Sequence, residues 1–90
     1  MKDRIFIGID PGISGGIAFI YNDTYYAKKC PNTIAEMADE IAILHDMGPH
    51  MPKYAIVERV HSMPGQGVAS TFKFGTNYGQ WLGILATLKI

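Results

Sequence analysis

The stretch Ile5-Phe6-Ile7-Gly8-Ile9-Asp10-Pro11-Gly12-Ile13-Ser14-Gly15-Gly16 sets the architecture of this chain. Its first five residues form an uninterrupted apolar run behind Arg4, the pattern of a central strand covered on both faces. The run delivers Asp10 into a proline- and glycine-rich turn. A second apolar run, Tyr54-Ala55-Ile56-Val57, delivers Glu58 into Arg59-Val60-His61-Ser62-Met63-Pro64-Gly65-Gln66-Gly67, which its proline and glycines mark as a loop. With the two runs as neighbouring parallel strands, both carboxylates stand at one edge of the sheet. Adjacent strands lie about 4.8 Å apart, so such carboxylates share one divalent cation, whereas without an ion they repel.

Working outward, Gly16–Tyr21 and Thr24–Lys29 are rich in β-branched and aromatic residues, and Asn22-Asp23 between them tolerate the backbone of a tight hairpin. Thr33-Ile34-Ala35-Glu36 fits a capping box, and Ile34, Met37, Ala38, Ile41 and Leu44 then recur on one helical face. Gly48-Pro49 ends that helix, the glycine taking a left-handed turn and the proline blocking continuation. The strand from Lys53 to Glu58 returns after a helical crossover, so it is expected parallel to the first strand with a right-handed connection. Val68 to Leu88 reads as a second helix carrying Gly75, Gly79 and Gly83 on one face, each at a cost of about 1 kcal/mol against alanine unless close packing offsets it. Tyr78, Trp81 and Leu82 beside that stripe are expected to supply apolar contact to a second copy; the alternative places the stripe against the sheet or the first helix. A membrane dimerisation motif shares the spacing, but Lys73, Asn77 and Gln80 within the segment argue for a soluble contact. The order is β-β-β-α-β-α, a mixed sheet with crossover helices in one domain spanning residues 1–90, its last strand unpaired on the outer side.

Ninety residues with 48% hydrophobic and 18% charged content describe an ordered chain with a single modest core. Eight Lys and Arg offset eight Asp and Glu, so charge does not announce a nucleic-acid partner. Lys28, Lys29, Arg59 and Lys73 are candidates for a basic face, the plain alternative being scattered solvated charges. One cysteine, Cys30, excludes an internal disulfide and reads as a small buried hydrophobe. With no leader-like stretch and no bilayer-length apolar span, the chain is expected to be soluble and cytoplasmic, with no membrane partner.

Other chemistries fit less well. The glycines after Asp10 allow a phosphate cradle from the amides of Gly12, Gly15 and Gly16, but no Walker pattern follows them. His45, His50 and His61 do not cluster with the lone cysteine at zinc spacing, and neither Ser14 nor Ser70 sits in a nucleophile elbow. His61 lies three residues past Glu58, where it contacts phosphate or faces water. Arg59 and Lys73 are the best candidates for phosphate contacts.

Ile7-Gly8-Ile9-Asp10-Pro11-Gly12 with Gly15-Gly16-Ile17-Ala18, then Val57-Glu58, Phe72-Lys73-Phe74-Gly75 and Gly79, together resemble the RuvC-type Holliday-junction resolvases, especially their phage and RuvC-like relatives. The resemblance runs in order over nearly the whole chain. It implies a ribonuclease-H-like fold, a homodimer, and Mg²⁺- or Mn²⁺-dependent endonucleolytic hydrolysis of branched DNA. Asp10 matches the family's first-strand metal-binding aspartate and Glu58 its fourth-strand glutamate, which makes both the expected catalytic and metal-binding residues. At His61 the bacterial members carry an aromatic that stacks on a base. The family completes its site with acidic residues beyond a fifth strand, so the chain reads as the N-terminal part of such an enzyme, its C-terminal strand and helix missing beyond Ile90. Two other functions are consistent with these residues: a catalytically inactive DNA-binding or dimerisation module of the same fold, and an ATP-binding fragment of the actin-like or sugar-kinase type.

Overall fold

The computed structural model describes residues 4–12, 14–59 and 67–90, so His61 lies outside the described residues. Four strands and two helices follow in the order β1 (Ile5–Asp10), β2 (Gly16–Tyr21), β3 (Thr24–Lys29), α1 (Ile34–Met47), β4 (Lys53–Val57) and α2 (Val68–Thr87). They form an α/β fold whose sheet runs β3-β2-β1-β4. β1 pairs antiparallel with β2 and parallel with β4, and β2 pairs antiparallel with β3. The two-residue Asn22-Asp23 turn accounts for the antiparallel return, with Asn22 in the left-handed region at φ 53°. The parallel return of β4 needs a crossover, which α1 supplies.

β1 is central in the sheet but not covered on both sides. Ile5, Ile7 and Ile9 are buried, while Phe6, Gly8 and Asp10 between them are exposed. The register places Tyr21, Phe19 and Ile17 of β2 and Ala55 and Val57 of β4 on the buried face, under Met37, Ile41 and Leu44 of α1 and Trp81 and Leu85 of α2. Among the described residues both helices pack on this one face. An apolar run in a central strand therefore reflects β-branched preference as much as double coverage.

Thr33 caps α1: its hydroxyl accepts from the Glu36 amide at 3.1 Å and donates to the Glu36 carboxylate at 3.0 Å. Of the expected apolar face, Met37, Ile41 and Leu44 are buried, whereas Ile34, in the first turn, stays exposed. Gly48 ends the helix for a reason other than a left-handed turn. Its φ is −153°, extended backbone that any residue adopts, and the Met51 side chain packs against it, so that a Cβ there would displace the Met51 sulfur. Among the described residues Trp81 is the largest fully buried side chain, and its indole N–H finds no hydrogen-bond partner. It anchors α2 to the core instead of flanking the glycine stripe outside. No described helix is long and apolar enough to cross a membrane.

Candidate metal and nucleic-acid site

The parallel ladder brings the two carboxylates together. Ile9 pairs with Val57, and the Glu58 amide donates to the Ile9 carbonyl at 2.8 Å, which carries the ladder one residue past β4. Glu58 thus stands opposite Asp10 across a strand spacing of about 4.8 Å. Alternation puts both in line with the exposed residues, Asp10 after Phe6 and Gly8, Glu58 after Tyr54 and Ile56. Both are solvent-exposed, where hydration keeps carboxylates usable as ligands.

Two adjacent carboxylates open to solvent suit a magnesium-type ion, which is commonly held by one or two carboxylates while waters and substrate phosphates complete its octahedron. Among the described residues no group of three or more His, Cys, Asp or Glu side chains gathers at one point. Cys30 is buried, its S–H donates to the Asp10 carbonyl at 3.3 Å, and burial first, then the Asp10 charge, push its thiol up from the ordinary value. Its hydrogen bond to the Asp10 carbonyl braces the strand end.

In the turn after Asp10 the Gly12 and Gly15 amides are spent internally. The Gly15 amide donates to the Gly12 carbonyl at 3.1 Å, the Gly12 amide donates to Asn77 Oδ1 of α2 at 2.9 Å, and the Cys30 amide donates to the Gly15 carbonyl at 3.1 Å. The phosphate-cradle reading of Gly12, Gly15 and Gly16 is therefore corrected, since the Gly12 and Gly15 amides point into the protein. The glycines are required by crowding. Gly12 sits at φ +112° with the Phe74 ring against it, and a Cβ on Gly15 would fall 1.8 Å from the Asp10 carbonyl oxygen.

Asn77 and Phe74 are the site residues that sequence reasoning missed as such. Asn77 counts there only as a polar residue unfit for a membrane and Phe74 only as part of a family pattern, yet both reach across 60 and more positions to hold the Asp10 turn. A pairing so distant in sequence leaves no local signal. Asn77 also brings its amide nitrogen to 3.9 Å from the Met37 sulfur, which ties the turn to both helices.

The remaining candidates distribute unevenly. Arg59 follows Glu58 directly and is exposed. Lys73 lines a cavity of about 610 Å³ with Gly12, Ser14, Phe74 and Asn77, so it belongs to the same end of the sheet. Lys28 is engaged elsewhere, in an ion pair with Glu40 of α1. Gly75, Gly79 and Gly83 are exposed, and a Cβ built on any of them meets nothing within 4 Å. The alternative of stripe packing against the sheet or α1 is thereby excluded. Compared with known proteins, the chain matches no protein-family model and no curated relative.

Proposed function

We propose that this chain carries metal ligands of a RuvC-like, ribonuclease-H-like nuclease that hydrolyses phosphodiesters of branched DNA, with Mg²⁺ or Mn²⁺ as cofactor. The observation that carries the reading is the register that sets Glu58 beside Asp10 at the ends of two parallel strands, on a solvent-facing side of the sheet. Asp10 and Glu58 hold the ion between them; the glycine turn, braced by Cys30 and Asn77, fixes the backbone from which Asp10 projects. When bound, the ion polarises the phosphoryl oxygen and lowers the pKa of attacking water. Arg59 and Lys73 attract the backbone phosphates.

A homodimer fits the same reading, because the stripe of Gly75, Gly79 and Gly83 is open for close approach by a partner helix. Leu82, exposed on α2, and half-buried Tyr78 replace Trp81 as its apolar neighbours. Gly79→Leu is expected to convert a sedimenting dimer to folded monomers.

Cleavage of a synthetic four-way junction, against linear duplex and ATP-hydrolysis controls, tests the function. Asp10→Asn and Glu58→Gln should each lower Mn²⁺-dependent cleavage by roughly 100-fold or more, the scale on which loss of a metal ligand or charge stabiliser acts. Metal-independent cleavage, or activity kept in both variants, sinks the reading. Junction binding without cleavage by the unaltered chain supports the second reading, an inactive DNA-binding module of the same fold.

A further inference from the structure

β3 is the outer strand of the sheet, paired with β2 on one side and, among the described residues, with nothing on the other. All six of its residues are exposed. The hairpin register fixes which backbone groups this leaves open, because residues of an antiparallel pair alternate between exchanging both ladder bonds and exchanging none. The two-residue turn makes Tyr21 and Thr24 a bonded pair, and the Cys30 amide, donating to the Gly15 carbonyl at 3.1 Å, keeps the same phase at the far end. Thr24, Tyr26 and Lys28 therefore direct their amides and carbonyls at β2. Tyr25, Ala27 and Lys29 turn theirs outward.

We propose that this edge pairs with the same edge of a second copy, β3 against β3 about a twofold axis at Ala27, so that two sheets join into one.

Outward residues bond only to outward residues. Centring the twofold on Ala27 is the one antiparallel register that sets all of them against one another: Tyr25 faces Lys29 of the second copy, and Ala27 faces its own counterpart. The side chains agree with the backbone. Tyr25 and Lys29 share a face of the sheet, so each ring lies across from an ammonium, a cation–π pairing made once on either side of the axis. In the single chain Tyr25 is 82% exposed, a large aromatic surface with nothing laid on it. The axis itself passes an alanine, small enough for close approach. Lysines commonly guard a sheet edge by repelling an added strand. Here no lysine meets a lysine, since Lys28 faces Tyr26 of the second copy and already forms an ion pair with Glu40 of α1. An unrelated extended segment would satisfy the backbone equally well, but it would have to bring its own match to Tyr25 and Lys29. β3 carries that match itself.

The contact is separate from the glycine stripe of α2 and independent of the nuclease reading. One strand pair is small beside the roughly 1,600 Å² of a standard interface, so the edge closes in concentrated solution and opens on dilution. A chain with both contacts has two different twofold surfaces, and α2 dimers then join edge to edge into larger assemblies.

Sedimentation of Gly79→Leu isolates the edge, because that variant lacks the α2 contact: it should be monomeric when dilute and dimeric when concentrated. Hydrogen exchange should show the amides of Tyr25, Ala27 and Lys29 gaining protection as the concentration rises, while those of Thr24, Tyr26 and Lys28 are protected throughout. Ala27→Pro in the same background removes an amide that points away from β2, a place where an edge strand tolerates proline, and should weaken association at least about tenfold through the ladder bonds lost in both copies. Tyr25→Lys, which sets lysine against lysine, should weaken it about tenfold, whereas Tyr25→Glu, which sets a carboxylate there, should stay within about threefold of the background. Register is read by oxidation. Ala27→Cys brings two thiols across the axis at a Cα separation of about 5.5 Å, within disulfide reach, while Tyr25→Cys leaves them about 14 Å apart. The first should cross-link and the second should not.

A Gly79→Leu chain that stays monomeric when concentrated, association unchanged in a folded Ala27→Pro chain, equal strength in Tyr25→Lys and Tyr25→Glu, or equal cross-linking of the two cysteine variants overturns the contact. Asp10→Asn should leave edge pairing as it is, so a chain that never cleaves DNA loses the nuclease reading and keeps this one.

Discussion

The two faces of the sheet are built from the same kinds of residue and meet opposite fates. On one, Ile5, Ile7, Ile9 and Ile17 are at most 3% exposed under α1 and α2. On the other, Phe6, Ile20, Tyr54 and Ile56 remain open, Ile56 at 78%, with the rings of Phe6 and Tyr54 stacked on each other. Asp10 and Glu58 stand on this open side. Stability is therefore concentrated on one face and the proposed chemistry on the other, and substitutions should report which face they belong to.

The widest gap is expected between Trp81 and Ile56. Trp81→Ala removes the largest buried side chain and should cost about 3–5 kcal/mol, whereas Ile56→Ala, on the open face, should stay within about 0.5 kcal/mol. Chemical denaturation of the two variants measures both. Trp81→Phe sharpens the comparison, because it keeps a ring while deleting an indole N–H that has no partner among the described residues; relief of that donor offsets part of the lost volume. A Trp81→Ala variant as stable as the parent would show that α2 is not anchored through this residue.

Next in size is the turn that joins the faces. Gly12→Ala forces a Cβ into φ +112° and against the Phe74 ring, and positive-φ strain alone runs to about 1–3 kcal/mol. The loss should come with weaker Mn²⁺ broadening of the Asp10 signals in NMR, since the turn carries that carboxylate. Asp10→Asn should show the opposite pattern: no broadening, and stability equal or slightly higher once two like charges no longer face each other. Matching behaviour of the two variants would uncouple the turn from the site.

Smaller again is the cap. Thr33→Ala removes the hydroxyl that accepts from the Glu36 amide and should cost about 1 kcal/mol with no effect on metal or DNA binding. A thermal scan with a metal titration checks both parts.

Much of this was legible locally. The hairpin at Asn22-Asp23, the Thr33 cap, the return of β4 beside β1 and the helix from Val68 all follow from signals within a few residues, and with them the placement of Asp10 beside Glu58. What escaped was decided by contacts between distant segments. Whether Phe6 and Ile56 are covered depends on which face the helices choose, and apolar pattern alone does not record it. Gly48 and Gly12 looked like ordinary turn glycines until Met51 and Phe74 were found pressing on them, and Trp81 gave no sign that it faces inward while Gly79 and Gly83 face out.

The smallest expected effect lies at high pH and again divides by location. Burial and the nearby Asp10 charge raise the Cys30 thiol above its ordinary value of 9.0. The hydrogen bond that Lys28 donates to Glu40, aided by the charges of Glu40, Tyr26 and Glu36 against partial desolvation, raises Lys28 above 10.5. In both cases the folded chain holds its proton more tightly than the unfolded one, so each contribution is complete below the ordinary value and is lost as pH climbs through the raised one. Stability should thus begin to fall above about pH 9 through Cys30, and decline further above about 10.5 through Lys28. Lys28 is exposed, so solvent screens its pair with Glu40 and the second decline should be the shallower. Denaturation midpoints from pH 8 to 11.5 for the parent, Cys30→Ala and Glu40→Gln resolve the two, the first variant losing the early decline and the second the late one. If Cys30→Ala keeps the early decline intact, the thiol at the Asp10 strand end is not its source, and the brace assigned to that sulfur would have to be withdrawn.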